Sequence, residues 1–163
     1  MSSNFLSKLK SEGKLELVEP SEQIFKSYNY KAKNYLGAAK VVQNAKYYES
    51  AISEAYYSMY NSVQSLLFIC GIKCENHSAA AILLKKLFKL NNLFNIFSIA
   101  KEERIDKQYY VTTQQIDPVT KESAQNMIND ANDFILEINA YITSLNHEKI
   151  NCTNYLYLIC FFL

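Results

Sequence analysis

Residues 47–78 read YYESAISEAYYSMYNSVQSLLFICGIKCENHS, and this stretch decides the fold of the 163-residue chain. Apolar side chains recur in it every three or four positions, which is the spacing of one buried helical face. They are Tyr48, Ala51, Ile52, Ala55, Met59, Val63, Leu66, Leu67 and Cys70. Gly71 follows, a residue type that commonly ends a helix in the left-handed conformation. The pattern predicts a central helix of about six turns at 3.6 residues per turn.

A second long helix is predicted on the N-terminal side of the central one. Pro20 or Ser21 opens it, because proline is tolerated in a first helical turn and serine caps one. Its expected buried face consists of Ile24, Phe25, Tyr28, Ala32, Tyr35, Leu36, Ala39 and Val42. Lys26, Lys33 and Lys40 lie seven residues apart on the other side. A solvated face is the expected role of these lysines, and a phosphate-facing stripe is the alternative.

Three more helices are predicted towards the C-terminus. The first, AAAILLKKLFKL, follows a Ser78 cap, and the second spans 93–108. The last opens with the pair DP at 117–118, a cap followed by a first-turn proline, and continues to Leu145. The chain is therefore predicted to be an all-α protein, an up-and-down bundle of four to five helices.

The bundle is expected to occupy residues 20–145, between a leader and a tail. The leader, 1–19, holds a short helical candidate at 4–10 and an alternating stretch at 14–18 that is expected to lie extended against the bundle. The tail, 146–163, is strongly apolar but shorter than the roughly 20 residues that a membrane span requires. A strand or turn packed on the bundle, or a dimer contact, is the expected role of the tail.

The composition excludes several classes of protein. A net charge of +1, from 17 basic and 16 acidic side chains, gives no global field for nucleic acid or membrane, so any such site must be local. The four Cys form no C-x-x-C pair and no apolar signal peptide begins the chain, which predicts a cytoplasmic protein. With His77 and His147 as the only histidines, neither a metal site nor a cofactor is expected.

The segment SEAYYSMYNSVQSLL at 53–67, followed by ENHSA at 75–79, resembles the HEPN family of small helical-bundle proteins. Members of this family often carry an A-x-x-R-A-Y-Y-A-M-like segment, a hydrophobic continuation and a K-T-H-S-like turn. The resemblance covers most of 20–143. One departure is Glu54, which stands where relatives often have an arginine.

Arg104, the only arginine among the 17 basic residues, falls in the segment EERIDKQYY. This segment resembles a family pattern often read as R-x-x-A-D-Y, in which Arg104 and Tyr109 match and Gln108 stands where an Asp is common. In an up-and-down bundle, the end of the central helix, the start of the next and the end of the fourth lie at one pole. His77 and Arg104 are therefore expected to be neighbours, with Lys73 and Tyr109 nearby.

These side chains suit a phosphodiester ligand. Arginine can grip a phosphate with two parallel hydrogen bonds, and histidine titrates near neutrality and can move the proton of a ribose 2′-hydroxyl. His77 and Arg104 are the catalytic candidates, and Lys73, Tyr109 and Tyr57 are the substrate-binding ones. The alternatives are a histidine bonded to loop carbonyls, an arginine paired with a carboxylate, and a tyrosine ring in the core or at a dimer face.

The resemblance implies a protein that acts on or binds RNA or nucleotides. Its members commonly form homodimers beside a minimal nucleotidyltransferase partner in toxin–antitoxin-like modules, and the 13 Tyr and 9 Phe also favour self-association. Many are metal-independent ribonucleases with an arginine followed, after four to six residues, by a histidine. That spacing is absent around Arg104 and His77, so cleavage stays open. The alternative function is a catalytically inert binding or assembly subunit.

Overall fold

The computed structural model of the chain describes residues 2–109 and 119–147, with the side chains of 5–105 and 119–145. The elements in this part of the chain are α1 (Ser2–Ser11), β1 (Leu15–Leu17), α2 (Glu22–Asn44), α3 (Tyr48–Ile69), β2 (Ile72–Cys74), α4 (His77–Lys86), α5 (Asn91–Tyr109) and α6 (Lys121–His147). Five helices, α2 to α6, form the bundle, and α1 precedes them. The predicted all-α class is confirmed.

Helix α3 is the centre of the bundle. It packs against α2, α4, α5 and α6, and only Glu49 and Ser50 in its first turn are exposed. Met59 on α3 and Phe134 on α6 are completely buried, as the periodicity of both helices predicts. Leu6 and Leu9 of α1 belong to the same hydrophobic core, so the leader packs on the bundle instead of standing apart from it.

A small antiparallel sheet closes the end of α3. Leu15 pairs with Cys74 and Leu17 with Ile72, which agrees with the extended conformation expected for 14–18. The turn between α3 and β2 is made by Gly71, whose φ of 73° lies in the left-handed region as predicted. The backbone N–H of Val18 donates to the Gly71 carbonyl at 2.9 Å, so this turn also anchors the entry to α2.

The helix caps follow the sequence prediction at α2 and depart from it at α4. Ser21 caps α2 by accepting from the Ile24 N–H. The Ser78 cap is wrong: Asn76 caps α4, because its side chain reaches the Ala79 N–H at 2.9 Å. The last helix begins at Lys121. The hydroxyls of Thr120 and Ser123 each accept a hydrogen bond from the other residue's backbone N–H. The predicted cap pair at 117–118 lies outside the described residues.

The surface departs from the prediction at the aromatic side chains. Exposed large apolar side chains in the described part are Leu17, Ile24, Tyr30, Val41, Tyr47, Ile99 and Leu136. This set holds two tyrosines and no phenylalanine, so most of the described aromatic rings are buried or half-buried and contribute little apolar surface to self-association. Ile24 was expected in the core but is 38% exposed; it lies in the first turn of α2. Lys26, Lys33 and Lys40 are solvent-exposed, as predicted.

The described residues contain neither a candidate membrane span nor a candidate metal site. No helix among them is both long enough and apolar enough to cross a membrane. In the same part of the chain, no three His, Cys, Asp or Glu side chains come together in a way that would hold a metal ion.

Replacing Gly71 with alanine should destabilise the protein by about 1–3 kcal/mol, since a non-glycine residue is strained at this φ. A Cβ atom there would also lie 2.6 Å from the Val18 carbonyl oxygen, a backbone atom that cannot move aside cheaply. Gly37→Ala is the matched control: a Cβ there meets nothing within 4 Å, and alanine in a helix should stabilise by about 0.4–1 kcal/mol. Urea denaturation measures both, and equal shifts for the two variants would contradict the argument.

Candidate functional site

The chain after α3 turns back along the flank of that helix. The Cys74 carbonyl accepts from the Gln64 side chain at 2.9 Å, and the Glu75 carbonyl accepts from the Tyr60 hydroxyl at 3.3 Å. Two residues further on, His77 meets Tyr56. Each step forward in the chain therefore contacts an earlier residue of α3, and α4 starts beside the middle of α3. The predicted meeting place at the pole of the bundle is wrong for this reason.

His77 is held between two tyrosine rings. Its imidazole stacks face to face on Tyr60, with ring centroids 3.8 Å apart and planes 5° from parallel. Burial raises the pKa of Tyr56, so this hydroxyl stays protonated. His77 Nδ1 is the partner described for it, so we assign the hydroxyl as the donor and Nδ1 as the acceptor. A neutral imidazole that accepts at Nδ1 carries its proton on Nε2. His77 therefore offers a hydrogen-bond donor, not a free basic nitrogen.

The protonation state of His77 differs from the prediction. Burial, and then the positive charges of Arg104 and Lys101, lower its pKa from 6.5 to about 4. All three causes disfavour the imidazolium ion. The expectation that His77 titrates near neutrality is therefore wrong, since the ring is neutral throughout the physiological range.

Arg104 on α5 contacts Tyr56, which His77 also contacts, and the neighbouring Tyr57. Its Nη1 donates to the Tyr57 hydroxyl at 2.6 Å, and its Cζ atom lies 5.2 Å from the ring centroids of both Tyr56 and Tyr57. Such distances are those of a cation–π contact. The structure thus brings Arg104 and His77 together through Tyr56, which each of them contacts.

A second cation, Lys101, stands one turn before Arg104 on α5. Its Nζ donates to the Ser78 hydroxyl at 2.6 Å. The ion pairs among the described residues include neither Lys101 nor Arg104. In addition, the buried Nε–H of Arg104 has no acceptor in this part of the chain. Two positive charges without a described carboxylate partner create a local field that favours an anion.

Sequence reasoning missed Lys101, Tyr56 and Tyr60 as members of this site. The signal for Lys101 was present, because residues three apart on a helix share a face and Lys101 precedes Arg104 by three. The signal for the two tyrosines was ambiguous, since their spacing on α3 also fits an ordinary core. Tyr56 indeed belongs to the core: it is 1% exposed and stacks on Phe97 at 5.4 Å.

The other sequence candidates have different surroundings. Lys73 sits on β2, where its ammonium pairs with Glu16 at 3.2 Å and Glu75 at 3.9 Å. The Tyr109 side chain lies outside the described residues. Glu54, which stands where relatives often have an arginine, is half-buried, and burial raises the pKa of its carboxyl group.

This arrangement can bind an anion through hydrogen-bond donors. The Arg104 guanidinium, the Lys101 ammonium and the Nε2–H of His77 all donate, and none of them is an unoccupied base. A phosphate group, whose oxygens only accept, complements such a set. The half-buried rings of Tyr57 and Tyr60 add flat apolar surface next to it.

Two comparisons with known proteins show what this chain is similar to. A protein of Methanocaldococcus jannaschii that is named as a putative toxin is 28% identical over 124 residues, which cover 73% of this chain and 82% of that protein. The family model described as the HEPN domain matches residues 25–141, which run from the first turn of α2 to the last third of α6. The chain belongs to the HEPN family.

Proposed function

We propose that this chain is a toxin-like HEPN protein that binds RNA through a phosphate-binding site formed by Arg104, Lys101 and His77. One observation carries the proposal: two cations on α5 have no carboxylate partner among the described residues, and their field reaches a neutral histidine. The name of the Methanocaldococcus jannaschii relative supports the toxin-like character.

The Arg104 guanidinium suits a phosphodiester better than a point charge would. Its planar fork can make two parallel hydrogen bonds to phosphate oxygens. One of its donors, Nη1, is already held by Tyr57, which limits the number of side-chain conformations that binding must fix. The Nε–H without an acceptor is a buried donor that a phosphate oxygen can satisfy after a small rotation of the side chain.

The surrounding rings favour single-stranded RNA over a free phosphate ion. Tyr57 is half-buried, and its ring packs on Tyr35 with centroids 5.7 Å apart. An unstacked base can pack on such a surface, and base–aromatic stacking contributes about 1–3 kcal/mol with little dependence on sequence. The ligand is therefore proposed to be a backbone phosphate with an adjacent base.

Binding, and not cleavage, is the activity that the geometry supports. A general base at neutral pH works best with a pKa near 7, whereas the pKa of His77 is about 4. Its Nδ1 is also occupied by the Tyr56 hydroxyl, and its Nε2 carries a proton. This agrees with the missing arginine-to-histidine spacing of the family's ribonucleases.

The protein partners follow from the family. We propose a homodimer and, as the second component of a toxin–antitoxin-like pair, a minimal nucleotidyltransferase. Helix α3 is enclosed by four other helices, so it is not proposed as the dimer face. On α6, Leu136 is an exposed apolar side chain, 60% accessible, which makes this helix a candidate for the dimer contact.

Arg104→Lys should weaken binding of single-stranded RNA, because the charge remains while the bidentate grip is lost. Arg104→Ala should weaken it further and reduce the slope of log affinity against log salt by about 0.7, the value for one phosphate contact on a single strand. Fluorescence anisotropy of a labelled RNA, with a thermal melt of each variant, gives both quantities.

Lys10→Ala, which removes an exposed cation of α1, is the control for charge alone and should leave the affinity unchanged. Wild-type affinity in Arg104→Ala would refute the RNA site and favour the inert assembly subunit.

The stability of the protein should fall as the pH is lowered from 6.5 towards 4. In this window the unfolded chain binds a proton at His77 and the folded chain does not, so the free energy of unfolding increases with pH. His77→Gln should lose less stability across the window than the wild type does. His147→Gln, which removes the other imidazole, is the control in urea denaturation at both pH values. A wild-type pH dependence in His77→Gln would contradict the neutral state of this half-buried ring.

Light scattering at micromolar concentration should report twice the monomer mass of 18.8 kDa. The measurement uses the full chain, since the apolar tail at 146–163 is one of the expected contacts. A monomer at every concentration would exclude the homodimer without affecting the RNA site, whose residues all belong to one chain.

A further inference from the structure

A polar groove of about 620 Å³ opens between α2 and α6, on elements other than those that supply the phosphate site. We call it the amide groove, after the carboxamides of Gln43, Gln125, Asn129 and Asn132, which line it together with Lys40 and Asp133. Helices that pack directly on each other usually interdigitate apolar side chains, so a seam lined by amides is unusual.

Two amide–amide hydrogen bonds hold this seam. Asn29 donates to Asn139 at 3.0 Å, and Gln43 donates to Gln125 at 2.9 Å. From the first bond to the second, α2 runs forward by 14 residues, from Asn29 to Gln43, while α6 runs backward by 14, from Asn139 to Gln125. Fourteen helical residues span about 21 Å. The two helices are therefore antiparallel and in register, and the groove lies at the Gln43 end, where long polar side chains keep them apart.

The amides of the groove are ordered by one another. Gln125 accepts from Gln43 and donates to Asn129 Oδ1 at 3.0 Å, so three carboxamides form a directional chain. Gln43 is 7% exposed, which makes the first member of this chain a buried one. This series of hydrogen bonds ends at the amide nitrogen of Asn129, for which no acceptor exists among the described residues. The Asn132 carbonyl oxygen, one turn away on the same face of α6, likewise has no described donor.

A hydrogen-bond donor beside an acceptor is the pattern that the edge of a nucleobase complements. Asparagine and glutamine read bases in this way, with one bond to a ring nitrogen and one to an exocyclic group. A charged ligand group is not matched by these neutral carboxamides. Ile128 supplies the apolar part of the lining.

The lysine stripe of α2 supplies the charge that such a ligand needs. Lys26 pairs with Glu22 at 2.8 Å, whereas Lys33 and Lys40 have no carboxylate partner in the described part of the chain. These two lysines are seven residues apart, so they share one face of α2, and Lys40 lines the groove. Asp133 lies on the α6 wall, where its carboxylate accepts from Asn132 at 3.3 Å. A phosphate is therefore favoured on the α2 wall.

From this geometry we infer that the amide groove is a nucleotide site, in which Asn129 and Asn132 bind the base and Lys40 binds the phosphate. The ligand is a nucleotide, either free or as one residue of a single-stranded RNA. This site is separate from that of Arg104, and it gives the lysine stripe a role beyond solubility.

Titration of the ¹⁵N-labelled protein with AMP tests the inference, because side-chain NH₂ groups give their own resonances. The signals of Gln125, Asn129 and Asn132 should move progressively and saturate, while that of Asn95, an exposed amide of α5, should not. Asn129→Ala and Lys40→Ala should each weaken binding about fivefold, the size of one hydrogen bond. Asn95→Ala and Lys86→Ala are the matched controls. Ribose 5-phosphate, which lacks the base, should leave the Asn132 amide unmoved.

Single-stranded RNA in place of AMP distinguishes the two sources of the nucleotide: the stronger ligand at the groove identifies the source. Unchanged groove amides with both ligands would overturn the inference, as would shifts that depend on protein concentration alone, which would make the groove a contact between copies. The Arg104→Ala variant distinguishes a failure of the groove from a failure of the proposed RNA site. In this variant AMP should still shift the amide signals of the groove, even if RNA binding at the Arg104 site is lost.

Discussion

The left-handed turn at Gly71 is the constraint on which the candidate site depends. Its positive φ sends the chain back along α3, and the pairing of β2 with β1 holds that direction. His77 therefore arrives beside the middle of α3, where Tyr56 and Tyr60 receive it. If the chain left α3 in another direction, the imidazole and the guanidinium of Arg104 would not share a tyrosine.

The tyrosines of α3 determine the chemistry of the histidine. Tyr60 covers one face of the imidazole, and Tyr56 donates to Nδ1, so the ring is partly shielded from water and held in one tautomer. Arg104 and Lys101 then add positive charge nearby. Partial burial and the two cations both disfavour the charged form of the imidazole, so it is neutral at physiological pH, and a neutral imidazole with its proton on Nε2 is a donor. The same contacts that make the site attractive to a phosphate make His77 a poor base.

The two sides of α2 serve opposite purposes. Towards α3 it presents apolar and aromatic side chains, such as Tyr28 on Phe68, and packs along its whole length. Towards α6 it presents Asn29 and Gln43, whose amides bond to amides of α6, and Lys40 lines the groove between the two helices. A net charge of +1 conceals this distribution, because local fields depend on which cations lack carboxylate neighbours.

The sequence by itself determined the helices of the bundle, the buried faces around Met59 and Phe134, and the approach of Arg104 to His77. These features follow from periodicity and from the order of the helices, both of which can be read along the chain. The sequence alone could not decide whether Asn76 or Ser78 caps α4, because both residue types cap helices and the two positions are only two residues apart.

Only the tertiary structure decided the position of the site along α3, the neutral state of His77 and the existence of the amide groove. Each depends on groups that are distant in the chain: β1 guides the residues after α3, α5 brings its cations to the imidazole, and Gln43 meets Gln125 across 82 residues. Hydrogen bonds and electrostatic fields act through space, and a local pattern of residue types does not record which distant group will be the neighbour.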